Sequence, residues 1–291
     1  MKGILLNLFI NAVEFLIKKF QKEGKKEVKN VEIVEKEITE VTETTEPIIQ
    51  PIIITEQPRQ ETPIIPPFPK KEWGIIKSWL LPNQYVQDSD FTPNQIYLHH
   101  TAGGTAESTI RYWSSNKERV CTHFIIDRDG KTYQTIPLEK SWGFHLYVSS
   151  PGNKINRKFK IDSKKYDKQS IGIELCNYGY VTKFEDKFLN CYGKVINPKD
   201  VVKLDKPYQG YEYWEKYTDA QLNSLQHLLN FLLEQYPKIK SSLQKDHRNI
   251  FNINQNALNF VPGIYSHTSV RTDKFDCYPY PNLITMLNNL V

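Results

Sequence analysis

The stretch IYLHHTAGG, residues 96–104, is an apolar, strand-like run that ends in two adjacent histidines. Side chains alternate between the two faces of a strand, so His99 and His100 cannot both point into one site. One of them shares a face with Tyr97, and the other lies on the opposite face. Which histidine carries chemistry therefore depends on what the rest of the chain brings to the same face.

The composition divides the 291-residue chain into three parts. Residues 1–20 are strongly apolar, and residues 21–72 are charged and then rich in Thr, Ile and Pro. Residues 73–291 contain all five tryptophans and all seven histidines. This third part is long enough for one well-buried α/β domain, and we expect both the core and any chemistry there.

The first part predicts an amphipathic helix. Its polar residues recur along one helical face, at Asn7, Asn11, Glu14 and Lys18. The apolar runs are too short to cross a bilayer, and no A-x-A cleavage site follows them. We expect this helix to dock on a membrane surface or a protein partner, with a signal peptide or membrane anchor as the alternative. Seven of the 17 prolines lie between positions 47 and 69, so residues 21–72 are predicted to be a semi-rigid linker.

Charge and cysteine content exclude several classes of protein. The net charge of +5 is spread along the chain, whereas a nucleic-acid-binding protein needs a concentrated basic face, so no nucleic acid is expected as a partner. The four cysteines form no CxxC pair, which argues against a zinc ribbon or a redox motif. Cys121 and Cys176 lie in apolar, strand-like runs and are predicted to be buried thiols.

Strand and helix patterns alternate after the linker. The segment CTHFIIDRDGKTYQTIP predicts a hairpin that turns at Asp129-Gly130, and SIGIEL and VPGIYSH predict further strands. Helices are predicted after Thr105, after Thr218 and from about Pro281. This order predicts a single mixed central β-sheet flanked by helices. Residues 146–169 and 184–216 are irregular, and we expect them to be loops that either surround a groove or form a purely structural covering.

Two of these segments contain residues suited to catalysis. In SIGIEL, residues 170–175, Glu174 lies within an otherwise apolar strand, where a carboxylate needs a partner or a task; a salt bridge at a sheet edge is the alternative. His267 ends a predicted strand and is followed by Lys274, Asp276 and Cys277. Histidine with carboxylate or thiolate is the ligand set of zinc, and a catalytic site uses three protein ligands.

Six motifs in order resemble the zinc-dependent N-acetylmuramoyl-L-alanine amidases, a family that includes phage lysozyme-type amidases, muropeptide amidases and peptidoglycan-recognition proteins. The motifs are LHHTAGG, THFIIDRDGKTYQ, the Gly-x-His ending at His145, SIGIEL, YTDAQLNSL and YSHTSVRTDKFD. The resemblance spans residues 73–291. It implies a Zn²⁺ ion bound by His99, His267 and Asp276, with Cys277 as the alternative third ligand.

The resemblance also assigns roles around the metal. Lys274, two residues before Asp276, would stabilise negative charge, and His145 would line the groove near the substrate. Many members use a catalytic tyrosine where this chain has Thr122, whereas the muropeptide-type members use a glutamate that matches Glu174.

Three further histidines receive supporting or structural interpretations. The resemblance implies that His100 is structural or lies at the rim, and that His123 supports the site from within its strand. His247 resembles a family Gly-His-Arg motif but has no Asp or Cys eight to ten residues further on, so we expect it on a loop surface.

The implied function is hydrolysis of peptidoglycan at the amide bond between N-acetylmuramic acid and L-alanine. The site of action would be the bacterial cell wall or periplasm, for a phage endolysin or for a virion-associated or secreted lysin. Three alternatives stay open: a cellular enzyme that remodels the wall, a peptidoglycan-binding module without catalysis, and a structural virion component that carries the amidase domain.

Overall fold

The computed structural model describes residues 74–159, 162–243 and 246–290. The predicted N-terminal helix and linker lie outside these residues. The strands are β1 Ile75–Lys77, β2 Val86–Gln87, β3 Gln95–His100, β4 Phe124–Ile126, β5 Thr132–Gln134, β6 Ser141–Trp142, β7 Ser170–Leu175, β8 Tyr180–Phe184, β9 Lys187–Asn190, β10 Val195–Ile196, β11 Val201–Tyr208, β12 Tyr211–Glu215 and β13 Gly263–Ser266. The helices are α1 Ala106–Ser115, α2 Lys154–Phe159, α3 Ser163–Asp167, α4 Asp219–Gln235, α5 Pro237–Ser241, α6 Gln255–Leu258 and α7 Pro281–Asn288.

A six-stranded mixed sheet forms the centre of the domain, in the order β1-β5-β4-β7-β3-β13. Strands β4, β7, β3 and β13 are parallel, and β5 returns antiparallel to β4. In the register of the sheet His99 lies beside Glu174, and His267 follows β13 directly on the other side of β3. The carboxyl ends of three adjacent parallel strands thus bring these three residues to one edge, the usual place for a ligand site in such sheets.

Helices cover both faces of the sheet, as the sequence predicts. Thr105 caps α1 by accepting a hydrogen bond from the backbone N–H of Ser108. Thr218 and Gln221 form a complete capping box at the start of α4, which buries its leucine face in the main core with the apolar residues of β3 and β7. The α1 helix packs with Ile125 and Cys176 on the opposite side. The central sheet and its flanking helices are therefore confirmed.

The β4–β5 hairpin turns at Gly130, which has a positive φ of 85° and packs against the start of α4. A Cβ atom at this position would lie 2.8 Å from the carbonyl oxygen of Ala220. The turn needs glycine for its backbone conformation and for this close approach.

The prediction that residues 184–216 are loops is wrong. Most of them lie in a second, five-stranded antiparallel sheet in the order β10-β9-β8-β12-β11. Its strands bury both aliphatic and aromatic side chains, namely Val181, Ile196, Leu204, Tyr208 and Trp214. The Trp214 ring stacks on Tyr278 and meets the ring of Tyr180 edge to face. Two short helices, α2 and α3, occupy much of the other predicted loop, residues 146–169.

All four cysteines are free thiols, and Cys121 and Cys176 are buried as predicted. Burial raises the pKa of the Cys121 thiol to about 12, so this group stays protonated at neutral pH. Within the part of the chain that the structure describes, no helix has the length and apolar character needed to cross a membrane.

Candidate metal centre and groove

Three potential metal ligands converge at the carboxyl edge of the central sheet. The Oδ2 atom of Asp276 lies 3.0 Å from Nδ1 of His99 and 2.9 Å from Nδ1 of His267, and the two Nδ1 atoms are 3.0 Å apart. All three side chains are buried. Ligands of a tetrahedral zinc ion are roughly 3.3 Å apart, so this spacing is close to what zinc requires.

The second nitrogen of His267 shows that its Nδ1 atom is free to bind a metal. Nε2 lies 2.9 Å from the carbonyl oxygen of Leu146, and a carbonyl can only accept a hydrogen bond. Nε2 must therefore carry the proton. Burial lowers the pKa of His267 to about 4, which keeps the ring neutral and leaves a lone pair on Nδ1.

A longer chain of hydrogen bonds sets the proton position in His99. The Ser170 hydroxyl donates to the carbonyl oxygen of Tyr166 at 2.8 Å, so its oxygen accepts from Nε2 of His145 at 3.1 Å. Nδ1 of His145 is then an acceptor, and the N–H group at Nε2 of His99 donates a hydrogen bond to it at 3.0 Å. Burial, followed by the nearby histidines, lowers the pKa of His145 well below its usual value, so it is neutral. The Nδ1 lone pair of His99 is left facing the centre.

The third ligand is held as a carboxylate. Burial acts to raise the pKa of Asp276, but positive charge at His267 and His99 outweighs burial and holds the pKa well below its usual value. Two imidazole lone pairs and an ionised oxygen repel each other unless a cation lies between them. The donor set therefore fits a zinc ion.

Cys277, the alternative ligand, is buried elsewhere. Its thiol lies against the hydroxyl of Tyr217, and burial raises its pKa well above the usual value. The structure thus brings Asp276, and not Cys277, into the group with His99 and His267.

Both histidine ligands depend on the two-residue segment His145-Leu146. The side chain of His145 contacts His99, and the carbonyl of Leu146 contacts His267. The backbone N–H groups of both residues donate to one oxygen of buried Asp167, at 3.1 Å and 2.9 Å. Asp167 therefore fixes the segment that orients both ligands, as outer-shell groups commonly do at metal sites.

Gly172 gives His145 the room to reach His99. A Cβ atom on this residue of β7 would lie 3.0 Å from Nδ1 of His145 and 2.8 Å from the methyl group of Thr122. Both distances are shorter than normal packing allows. The glycine in SIGIEL is therefore a packing requirement of the site.

Glu174 borders the same groove, one strand away from His99. Its Oε2 atom is buried and has no hydrogen-bond partner among the described residues. Burial, and then the charge of Asp276, raises its pKa well above the usual value, while Lys274 acts in the opposite direction. A carboxyl group of this kind is a stronger base than an exposed glutamate and is suited to accept and release a proton.

The other candidate residues occupy distinct places. Lys274 lines the groove beside the ligands. His145 has only its edge on the groove and is 4% exposed, so its main contacts are with protein groups. His100 lies next to the ligand histidine but turns its Nδ1 atom to the hydroxyl of Tyr217, 3.2 Å away. The hydroxyl of Thr122 donates to the carbonyl of Phe124.

Two histidines belong to the core rather than to the groove. His123 stacks on Phe91 and contacts the Ser141 carbonyl. His247 is buried against Asn288, so the prediction of a surface position for it is wrong.

The ligands lie in a groove of about 1250 Å³, which is larger than a typical pocket for one small molecule. Its lining includes the loop after β3, one side of α1, and a turn of the second sheet. Sequence reasoning named the three convergent residues and Glu174 but missed the contacts that Asp167 and Ser170 make with the His145-Leu146 segment. The spacing of Asp167 and Ser170 in the sequence predicts no function. Their role depends on contacts with His145 and Leu146, about twenty positions earlier in the chain.

Comparison with known proteins identifies the family. The family model for N-acetylmuramoyl-L-alanine amidase matches residues 89–277, and the chain belongs to this family. The resemblance to the N-acetylmuramoyl-L-alanine amidases seen in the sequence is therefore confirmed. No curated protein matches the chain in a direct comparison.

Several solved structures are similar to the chain at low identity. The amidase LysC from Clostridium intestinale is 18% identical, covering 74% of this chain and 97% of its own, with a TM-score of 0.36. The endolysin of the Thermus scotoductus bacteriophage Ph2119 is 15% identical, with coverages of 74% and 99% and a TM-score of 0.40. The Staphylococcus aureus hydrolase AmiA is 12% identical, with coverages of 74% and 82% and a TM-score of 0.42.

Proposed function

We propose that this protein is a zinc-dependent N-acetylmuramoyl-L-alanine amidase of the muropeptide-amidase type. It hydrolyses the amide bond between the lactyl group of N-acetylmuramic acid and L-alanine in peptidoglycan. The observation that carries this proposal is the convergence of His99, His267 and Asp276, each with its ligand atom unprotonated, beside an unpaired Glu174. A binding module without catalysis has no need for such a costly arrangement of buried polar groups.

His99 and His267, through Nδ1, and Asp276, through Oδ2, would hold the zinc ion. When bound, zinc supplies a Lewis acid that polarises the scissile carbonyl and lowers the pKa of water. In these roles Asp276 binds as a carboxylate and His267 as a neutral imidazole, because burial lowers the pKa of His267 to about 4.

Glu174 acts as the general base. Its carboxylate takes a proton from the attacking water and passes this proton to the leaving nitrogen of L-alanine. The raised pKa makes it a stronger base than an exposed glutamate and lets it hold the proton between the two steps. Lys274 stabilises the negative charge that develops on the substrate oxygen. Thr122 takes no part in proton transfer, because its hydroxyl is already bound to the Phe124 carbonyl.

His145 is better suited to positioning His99 than to contacting the substrate. Both of its ring nitrogens are engaged, one with His99 and the other with Ser170. We therefore propose it as a positioning residue. Its role is to keep the proton on Nε2 of His99, so that Nδ1 is available to the metal.

We also propose that the protein acts on the bacterial cell wall as a lysin, either an endolysin or a virion-associated enzyme. The Pro-rich composition of residues 21–72 is that of an extended spacer. Such a spacer would let the catalytic domain reach the wall while residues 1–20 dock on a membrane surface or a protein partner.

Purified sacculi provide the test. Incubation with the full chain should release L-alanine amino termini, with loss of this release in the presence of a chelator and recovery on addition of zinc. Glu174→Gln should lower the rate of release by about two to four orders of magnitude, whereas Glu234→Gln, on the exposed side of α4, should not change it. Release of new reducing sugar ends, or release that is unaffected by the chelator, would contradict the proposal.

A further inference from the structure

Three tyrosines form one side of the groove beside the metal ligands. Tyr112 projects from α1, Tyr178 follows β7, and Tyr192 lies in the turn between β9 and β10. We call this group the tyrosine wall. Tyr112 is 57% exposed and Tyr192 is 65% exposed, so the rings of both are open to a ligand.

The tyrosine wall is held in place from behind. The ring of Tyr178 meets the ring of Tyr192 edge to face, with centroids 6.1 Å apart. Its hydroxyl occupies the space where a side chain on Gly104 would be, since a Cβ atom there would lie only 2.5 Å from it. Its backbone N–H donates to buried Glu215, which is itself paired with Arg128 at 2.7 Å. The central ring is thus preorganised rather than loosely placed on the surface.

Another part of the groove lining is charged. Arg271, Asp273 and Lys274 line it, and Arg271 is paired with Asp273 at 2.7 Å. A peptide with free carboxylates matches this charged side. The tyrosine wall instead offers aromatic faces and phenol hydroxyls, which suit a neutral ring with axial C–H groups on its faces and hydroxyls on its edge.

We propose that the tyrosine wall is a binding subsite for the glycan strand of the substrate. This inference rests on the proposed function, because the glycan lies next to the bond that the amidase cleaves. Sugar rings would stack on Tyr112 and Tyr192, while the stem peptide leaves towards the charged side. A groove of about 1250 Å³ has room for more than one sugar together with the peptide.

The subsite also gives the second sheet a function. The β9–β10 turn presents Tyr192, and the segment that leads into β8 presents Tyr178. Two of the three rings therefore depend on an element that adds nothing to the metal ligand set. The second sheet extends the active site towards the polymer.

Direct binding of two probes by the full chain tests this inference. The first probe is a peptide-free oligosaccharide of alternating N-acetylglucosamine and N-acetylmuramic acid, and the second is the free stem peptide. Tyr112→Ala and Tyr192→Ala should each weaken binding of the oligosaccharide by about three- to tenfold, the value of one aromatic contact. Neither variant should change binding of the stem peptide, and Tyr192→Trp should retain oligosaccharide binding because it keeps a ring.

Phe184→Ala is the matched control, since Phe184 is also an exposed aromatic residue of the second sheet but does not line the groove. It should bind both probes as the parent does. Undetectable oligosaccharide binding by the parent, equal losses in the control, or a loss for the stem peptide instead would overturn the inference. If the parent shows the expected pattern but cleaves no amide in sacculi, the proposed function fails and the glycan subsite stands.

Discussion

Replacement of Asp167 by alanine tests whether one buried carboxylate supports the whole metal centre. Asp167 is 1% exposed, and a single oxygen accepts the backbone N–H groups of His145 and Leu146. Asp167→Ala leaves both buried groups without an acceptor, at a cost of about 1–3 kcal/mol each. We therefore expect the free energy of unfolding to fall by about 2–6 kcal/mol. Asp167→Asn keeps a carbonyl oxygen at this position and should lose less than half as much.

The same change should weaken metal binding, because His145 and Leu146 orient His99 and His267 respectively. Loss of an outer-shell partner typically costs about 10–100-fold in metal affinity. Zinc affinity can be measured by competition with a chelator, and stability by urea denaturation of the metal-free protein. Asp186→Ala, at an exposed turn, is the control. Stability within about 1 kcal/mol of the parent and unchanged zinc affinity for Asp167→Ala would refute the reasoning.

Asp167 should also leave a signature in the pH dependence of stability. Burial raises its pKa to about 7, although its hydrogen bonds with Leu146 and His145 act in the opposite direction. The folded protein therefore keeps a proton that the unfolded chain loses above about pH 4. This contribution to stability is complete below that pH and is lost as the pH rises towards 7, by roughly 4 kcal/mol. Asp167→Asn should remove this slope, and an identical slope in the variant would exclude Asp167 as its source.

Four further substitutions test the site itself. Glu174→Gln should lower turnover by about two to four orders of magnitude with zinc content unchanged, and near-normal turnover would remove Glu174 from the mechanism. Asp276→Ala should abolish zinc binding and activity, whereas Cys277→Ser should keep both within a few-fold; elemental analysis and the sacculus assay would reveal the opposite ranking. Gly172→Ala should displace His145 and lower zinc affinity about tenfold or more, because its Cβ atom would lie 3.0 Å from that ring; an unchanged affinity would show that the ring can shift without consequence.

Local sequence patterns predicted the parts of the fold that are locally encoded. The alternation in β3 and β7 assigns residues to the two faces of the sheet, and the structure aligns His99 with Glu174 on one of them. Threonine caps at 105 and 218 begin the helices where the sequence predicts. These features depend on residues within a few positions of each other. They can therefore be predicted from the sequence before the fold is known.

The second sheet was missed for a physical reason. Its strands bury few residues, and charged or polar residues interrupt the alternation, as in Val201–Tyr208, where only Leu204 and Tyr208 are buried. A register shift between Lys203 and Tyr208 breaks the pattern further. Such strands are stabilised by pairing with other strands of the same sheet. The alternation of apolar and polar residues along each of these strands is weak.

The sequence by itself determined the chemistry available to this protein: a histidine at the end of one strand, a glutamate within another, and a second histidine followed by an aspartate. Only the tertiary structure decided how these groups are protonated and what surrounds them. The proton on His99 is set by His145, 46 positions away, and that on His267 by Leu146, 121 positions away. Hydrogen bonds act over about 3 Å in space regardless of separation along the chain, so no local pattern records them.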